Sequence, residues 1–240
     1  MALPSGALDN YGAKKPGLPM KNKQEYFASL KALSEKGINR VGVLDPADYP
    51  GFAQLGSGRL VLLMMGGSRF WEWALAHWPN TPDPLDQLSK QIVQQWTQGL
   101  ALEGVHLLYP SGLWPLGDLL PALGISPSPL GIGIDPEWGL WNALRAVIFT
   151  QSLLPLSPPI QAVPPCQTCH SRPCLAACGA QAVQWPGPFD GQRCRAFRLA
   201  KGSPCAQDCP ARRACPLGKP YPDEQIAYHT LKSLEMIKGS

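Results

Sequence analysis

Apolar positions over the first 150 residues switch between helical spacing and short continuous runs. Over 22–36, Phe27, Leu30 and Leu33 lie on one side of a helix that Gly37 would stop. Val41 and Val43 predict a strand, and the unbroken run 60–65 predicts a central one, covered on both faces. Ser68 can cap a helix that ends before Pro79. Asp83-Pro84 then opens a longer helix, with Leu85, Leu88, Ile92, Val93, Trp96 and Leu100 at helical spacing. Residues 105–109 read as a strand. The runs 130–134 and 140–150 flank Asp135-Pro136-Glu137-Trp138-Gly139, a tight connection typical of a hairpin or bent strand pair. A last helix is expected over 223–238, with Ile226, Leu231, Leu234 and Ile237 as its stripe. This alternation favours an α+β or α/β sandwich over a bundle or barrel.

Composition narrows the class. Only 16% of the residues are charged, against about 25% in ordinary soluble domains. The 27 Pro and 24 Gly stop short of a disordered composition, and eight Trp need a core to bury them. No apolar run approaches a membrane span, and the N-terminus lacks the apolar stretch of a secretory signal, so a cytoplasmic protein without membrane contact is expected. Neither G-x-x-x-x-G-K-[ST] nor G-x-G-x-x-G after a strand is present, which disfavours ATP and a Rossmann-bound dinucleotide. Charge is unevenly spread: residues 41–165 carry four Lys/Arg against nine acids, and 166–219 carry eight against two. The basic excess coincides with cysteine, and forms no Lys/Arg run of the kind that binds nucleic acid.

All eight cysteines lie between Cys166 and Cys215, behind a connector with five prolines over 154–165. The expected organisation is therefore an arm (1–22), an α/β domain (23–154), a linker (155–165), a cysteine module (166–219) and a C-terminal helix (220–240). The spacing is Cys166-x2-Cys169-x4-Cys174-x3-Cys178, then Cys194, then Cys205-x3-Cys209-x5-Cys215-Pro216. Eight thiols are what two [4Fe–4S] clusters need. In the interleaved bacterial pattern Cys166, Cys169 and Cys174 join Cys215, and Cys194, Cys205 and Cys209 join Cys178. The third gap is x4 where x2 is usual, and Gly179 replaces the usual Pro. Structural zinc, disulfides and a c-type haem site at Cys166-Gln-Thr-Cys169-His170 are the alternatives. Arg172, Arg193, Arg195, Arg198, Lys201, Arg212, Arg213 and Lys219 would offset cluster charge, form a docking face, or be ordinary solvated surface.

Pro127-Ser128-Pro129-Leu130-Gly131, then Ile134 to Trp141 (IDPEWGLW), with Arg145 beyond, resembles a segment of the CblC-type cobalamin-handling proteins, as does Asp83-Pro84-Leu85-Asp86-Gln87. The continuation into the cysteines, and Asp190-Gly-Gln-Arg-Cys194, resemble the epoxyqueuosine reductases, which share their architecture with reductive dehalogenases. The resemblance covers roughly residues 80–216. It implies a nitroreductase-like (CblC-like) α/β sandwich followed by a small bacterial ferredoxin-like two-cluster domain. It also implies a corrinoid or flavin at the α/β domain, with Asp135, Trp138, Gly139, Trp141 and Arg145 as cofactor-binding candidates and Asp118 as a weak catalytic one. Asp135 departs from the family's His. The leading expectation is an iron–sulfur, ferredoxin-like electron-transfer protein serving a cofactor or redox partner at its α/β domain. A corrinoid-dependent reductase is the alternative, and a nonredox zinc protein the second. Transfer RNA is an expected partner only if the resemblance extends to activity.

Overall fold

The computed structural model describes residues 18–19, 23–111 and 113–239. The arm expected at 1–22 lies outside these apart from β1 (Leu18–Pro19). In chain order there follow α1 (Lys23–Glu35), β2 (Arg40–Leu44), β3 (Arg59–Gly66), α2 (Arg69–Ala76), α3 (Pro84–Gly99) and β4 (His106–Tyr109). Next come β5 (Ser126–Pro127), β6 (Gly133–Ile134), β7 (Asn142–Thr150) and β8 (Ser152–Leu153). The remaining elements are α4 (Pro165–Thr168), α5 (Pro173–Ala176), α6 (Gly191–Leu199), α7 (Pro210–Arg213) and α8 (Asp223–Gly239). The chain divides into two compact units, one running to Leu123 and resuming over Ala143–Pro159, the other made of Gly124–Asn142 and everything from Ile160 onward.

The first unit is mixed α/β, built on a four-stranded sheet of order β2-β3-β7-β4. Strand β3 sits inside it, as its unbroken apolar run predicts, and Leu60, Val61, Leu62 and Met65 have no exposed surface. It pairs antiparallel with β2 in a register that sets Val43 opposite Val61; β4 runs antiparallel to β7 with an irregularity between Leu107 and Tyr109. In α3, Pro84 occupies the first turn, where its missing N–H costs nothing. Leu85, Leu88, Ile92, Val93 and Trp96 are buried as their spacing predicts. Helix α1 corrects the sequence reading: Phe27 is 60% exposed, while Tyr26 and Leu33 are buried. The reason is α3, because Trp96 Nε1 donates to Ser29 Oγ at 2.8 Å and its ring lies 6.5 Å from that of Tyr26. The face 26/29/33 therefore meets α3, and Phe27 turns outward. Ser68 stands at the N-cap of α2, as expected, but its hydroxyl donates to the Glu72 carboxylate at 2.7 Å and makes no bond to a helix amide.

The second unit differs from the linker-based division in three ways. Residues 124–142, expected in the α/β domain, group with the cysteines. The connector is shared: Ser157 exchanges hydrogen bonds with Val43 on β2, through its amide (2.9 Å) and its hydroxyl (2.9 Å). Beyond it, Ile160 packs on Gly124. Finally, α8 belongs to this unit, tied to α6 by Arg198, which donates to Thr230 O (2.7 Å) and Ser233 Oγ (3.0 Å). The physical cause is apolar supply. Unit 2 builds its core from Leu130, Ile134, Leu140, Val183 and Ala211, and the first three lie ahead of the prolines. Among the described residues no helix is long and apolar enough to cross a membrane.

These positions predict contrasting mutants. Leu62→Ala, which empties a fully buried site in β3, should destabilise by about 3 kcal/mol in urea unfolding. Phe27→Ser, on an exposed face, should change stability by less than about 0.5 kcal/mol.

Candidate metal centres

Three short helices of unit 2 begin at proline, and each carries a cysteine at its start: Cys166 in α4, Cys174 in α5 and Cys209 just ahead of α7. Proline fixes φ for the first turn and removes an amide that would lack an acceptor there. Such tight turns leave backbone amides near sulfur. Ala182 N–H donates to Cys178 Sγ at 3.4 Å, and amides of Leu175, Arg212 and Leu217 favour the thiolates of Cys174, Cys209 and Cys215. Cys194 lies on α6, which is capped by Asp190 through Arg193 N–H at 2.9 Å.

The cysteines line two cavities. Cys166, Cys169, Cys174 and Cys215 border one of about 490 Å³, beside His170, Arg172 and Leu217. Cys178, Cys194, Cys205 and Cys209 border the other, of about 280 Å³, beside Arg198, Arg212 and His229. Electrostatics sorts them the same way. Burial, then Cys215, Cys174 and Cys169, push the Cys166 thiol up to about 11, with Arg172 opposing. Cys174 is raised by burial and then by Cys215 and Cys169, and Cys215 by burial and Cys169. In the other set burial raises Cys194, Cys205 and Cys209, and Cys178 adds to each. All eight are free thiols. Among the described residues no three His, Cys, Asp or Glu side chains converge as one ion would require. Each set of four thiols lines a cavity instead of meeting at a single point. Four thiols per cavity fit a cubane donor set.

The candidates taken from family resemblance fall in both units. The Asp135 carboxylate accepts from the amides of Glu137 (2.7 Å) and Trp138 (3.0 Å), and Asp135 and Gly139 exchange backbone hydrogen bonds that close the turn. Trp141 has no exposed surface and meets Tyr221 edge-on at 5.2 Å. Gly139 and Gly218, both at positive φ, let the 138–139 backbone lie against Leu217 and Gly218, just past Cys215. Arg145 belongs to the first unit, where it pairs with Asp86 at 3.1 Å over the Phe70 ring. Asp118 is exposed on a 3-10 turn. Spacing alone did not single out Arg172 and Arg212 from the other cations, although each stacks on a tryptophan beside a cavity.

No protein-family model and no curated protein matches the chain. Solved structures do. An epoxyqueuosine reductase from Streptococcus thermophilus aligns with a TM-score of 0.56 at 14% identity, over 82% of this chain and 67% of that one. One from Bacillus subtilis, with its catalytic loop swung out of the active site, gives 0.53 at 16% identity, over 82% and 66%. An epoxyqueuosine reductase with an epoxyqueuosine-modified tRNA-Tyr stem loop gives 0.55 at 16% identity, over 85% and 68%. The likeness establishes a shared fold, and the chain spans about two thirds of those proteins.

Two measurements test the site. Gly139→Ala would set a Cβ against the Leu217 carbonyl at a φ of +60°, and should cost about 2–3 kcal/mol and weaken metal retention. Gly191→Ala, at the open start of α6, should be neutral within about 1 kcal/mol. In metal-free protein, alkylation of Cys166 followed by peptide mass mapping should rise through a midpoint near 11, not 9.0. A raised thiol binds its proton more tightly folded than unfolded. Its contribution to metal-free stability is therefore complete below 9.0 and lost as pH climbs to about 11.

Proposed function

We propose that the chain is an iron–sulfur oxidoreductase related to the epoxyqueuosine reductases, with one [4Fe–4S] cluster in each cavity of unit 2. The observation that carries this reading is the sorting of eight thiols into two interleaved sets of four, seen both in what they line and in which thiols they repel. Cys166, Cys169, Cys174 and Cys215 would hold the first cluster, and Cys178, Cys194, Cys205 and Cys209 the second. Bound clusters would supply one-electron transfer. The protein's own contribution is to hold thiolates in low dielectric, donate amides to sulfur, and set nearby cations that offset their charge.

The reductase reading is preferred to a ferredoxin serving an outside partner. The aligned region covers 82–85% of the chain, more than unit 2 alone can supply, so the α/β unit shares in the likeness. In this reading that unit is the nitroreductase-like, CblC-like part and takes the acceptor cofactor, a corrinoid or a flavin, while unit 2 is the ferredoxin-like part. The first substrate class to assay is a modified tRNA stem loop, as in one of the neighbours. The zinc reading is disfavoured by the ringed arrangement of the thiols.

Anaerobic reconstitution should load about eight iron and eight sulfide per chain, with visible absorbance that bleaches under dithionite. Uptake of two zinc ions in a colourless protein would overturn the reading. Paramagnetic resonance of reduced serine variants checks the ligand sets. Cys215→Ser should lose the same signal as Cys166→Ser, and Cys178→Ser the same as Cys205→Ser. Grouping of Cys166, Cys169, Cys174 and Cys178 in one signal would refute the interleaving. Titration of cobalamin and of flavin into the loaded protein, read as spectral shifts, decides which acceptor the α/β unit takes.

A further inference from the structure

The cations of unit 2 are unequal. Arg193 pairs with Asp190 at 3.3 Å, and Arg213 with Asp208 (2.7 Å) and Asp223 (2.8 Å). Arg198 spends its donors on Cys205 O, Thr230 O and Ser233 Oγ. Arg195, Lys201 and Lys219 are exposed. Arg172 and Arg212 differ from all of these and resemble each other. The Arg172 guanidinium lies 4.6 Å from the Trp185 ring centre, and that of Arg212 lies 4.5 Å from Trp141 and 5.4 Å from Tyr221. Each has an Nε–H that is buried and meets no acceptor in the protein. Each borders one cavity only, Arg172 the larger and Arg212 the smaller.

A buried donor without an acceptor is costly; Arg145 in the first unit has one too, but only Arg172 and Arg212 combine it with a place at a thiol-lined cavity. Backbone strain accompanies the first: Arg172 sits at φ +39° and ψ +54°, a conformation that non-glycine residues rarely keep without a functional return. Arg212 is also anchored, through Nη2 to Leu140 O at 2.6 Å, which fixes the guanidinium plane against Trp141. Aromatic stacking holds a cation in place while leaving its edge donors free.

We infer that Arg172 and Arg212 are paired tuning residues, one for each cavity. Each offers a fixed positive charge and an Nε–H to the sulfur-bearing group bound there, and so raises that group's reduction potential independently of the other. The inference rests on the reading of both cavities as cluster sites. Reduction adds negative charge, so removing a nearby cation and donor makes the reduced form less favourable. These are positioning residues with respect to charge and are not themselves ligands.

The test is a redox titration of the full chain, loaded anaerobically with iron and sulfide and followed by paramagnetic resonance. At each wild-type midpoint, Arg172→Gln should lower the ratio of reduced to oxidised form about tenfold for one signal, a shift of about 59 mV for one electron. Arg212→Gln should do the same to the other signal. Arg172→Lys and Arg212→Lys keep the charge but lack the Nε–H and the planar stack, and should give smaller shifts in the same direction. Full iron content with both potentials unmoved would overturn the inference, as would both glutamine variants moving the same signal. Where a glutamine variant does not fold or load, its lysine counterpart decides: an unmoved potential overturns the inference. A wild-type chain that takes up no iron and sulfide defeats the cluster reading itself, a failure visible before any variant is made.

Discussion

Eight thiols drawn around one small apolar core form the constraint on which unit 2 depends. Groups of like charge cannot share low dielectric cheaply, and here the cost is visible in the raised thiols of both sets. A neutral, protonated set is one solution, and a cationic centre that takes the negative charge is the other. Several features of the surrounding structure favour the charged form of the thiols. Amides point at sulfur, prolines shape the short turns, and cations approach without filling the cavities.

The segment before β7 is the frame of that arrangement. Its turn is locked by the Asp135 carboxylate and by Asn142, which donates to Gly133 O (3.2 Å) and Gly139 O (2.8 Å). The locked turn presents a flat backbone at Gly139 and a buried ring at Trp141. The loop after Cys215 lies on the first, and Arg212 lies on the second. One stretch of fewer than ten side chains thereby fixes a loop of the larger cavity and a cation of the smaller.

The sequence revealed the parts of the structure that depend on local spacing. The strand at 60–65 and the helix from Pro84 were legible because burial repeats with the period of their own element. The cysteine spacing suggested two sets of four, and four thiols line each cavity, Cys215 reaching the first set through the fold and not through a short gap. Long-range partners were not legible. Phe27 and Tyr26 are adjacent, and only Trp96, far along the chain, decides which one is buried. The domain boundary was placed by cysteine content and proline, but the three aliphatic residues that complete the core of unit 2 lie upstream of both signals. Asp135 was a candidate through family resemblance alone, and its hydrogen bonds to two turn amides could not be read from the sequence. Arg172 and Arg212 look like ordinary surface cations until Trp185, Trp141 and Tyr221 are placed beside them.

The chain enters unit 2 at Gly124, leaves it after Asn142 and returns at Ile160. During synthesis, Leu130, Ile134 and Leu140 therefore leave the ribosome well before Val183 and Ala211, the residues that cover them. Contacts of such sequence separation form late, because loop closure comes before any gain from packing. The first unit also waits, since β7 is an inner strand of its sheet and is made only after the 124–142 excursion. For a time the nascent chain carries an apolar hairpin with no core to join, and the unit that completes it does so only as its last cysteines appear. An incomplete chain of this kind exposes apolar surface until its last third is made, the state in which chains of interrupted topology are most prone to associate.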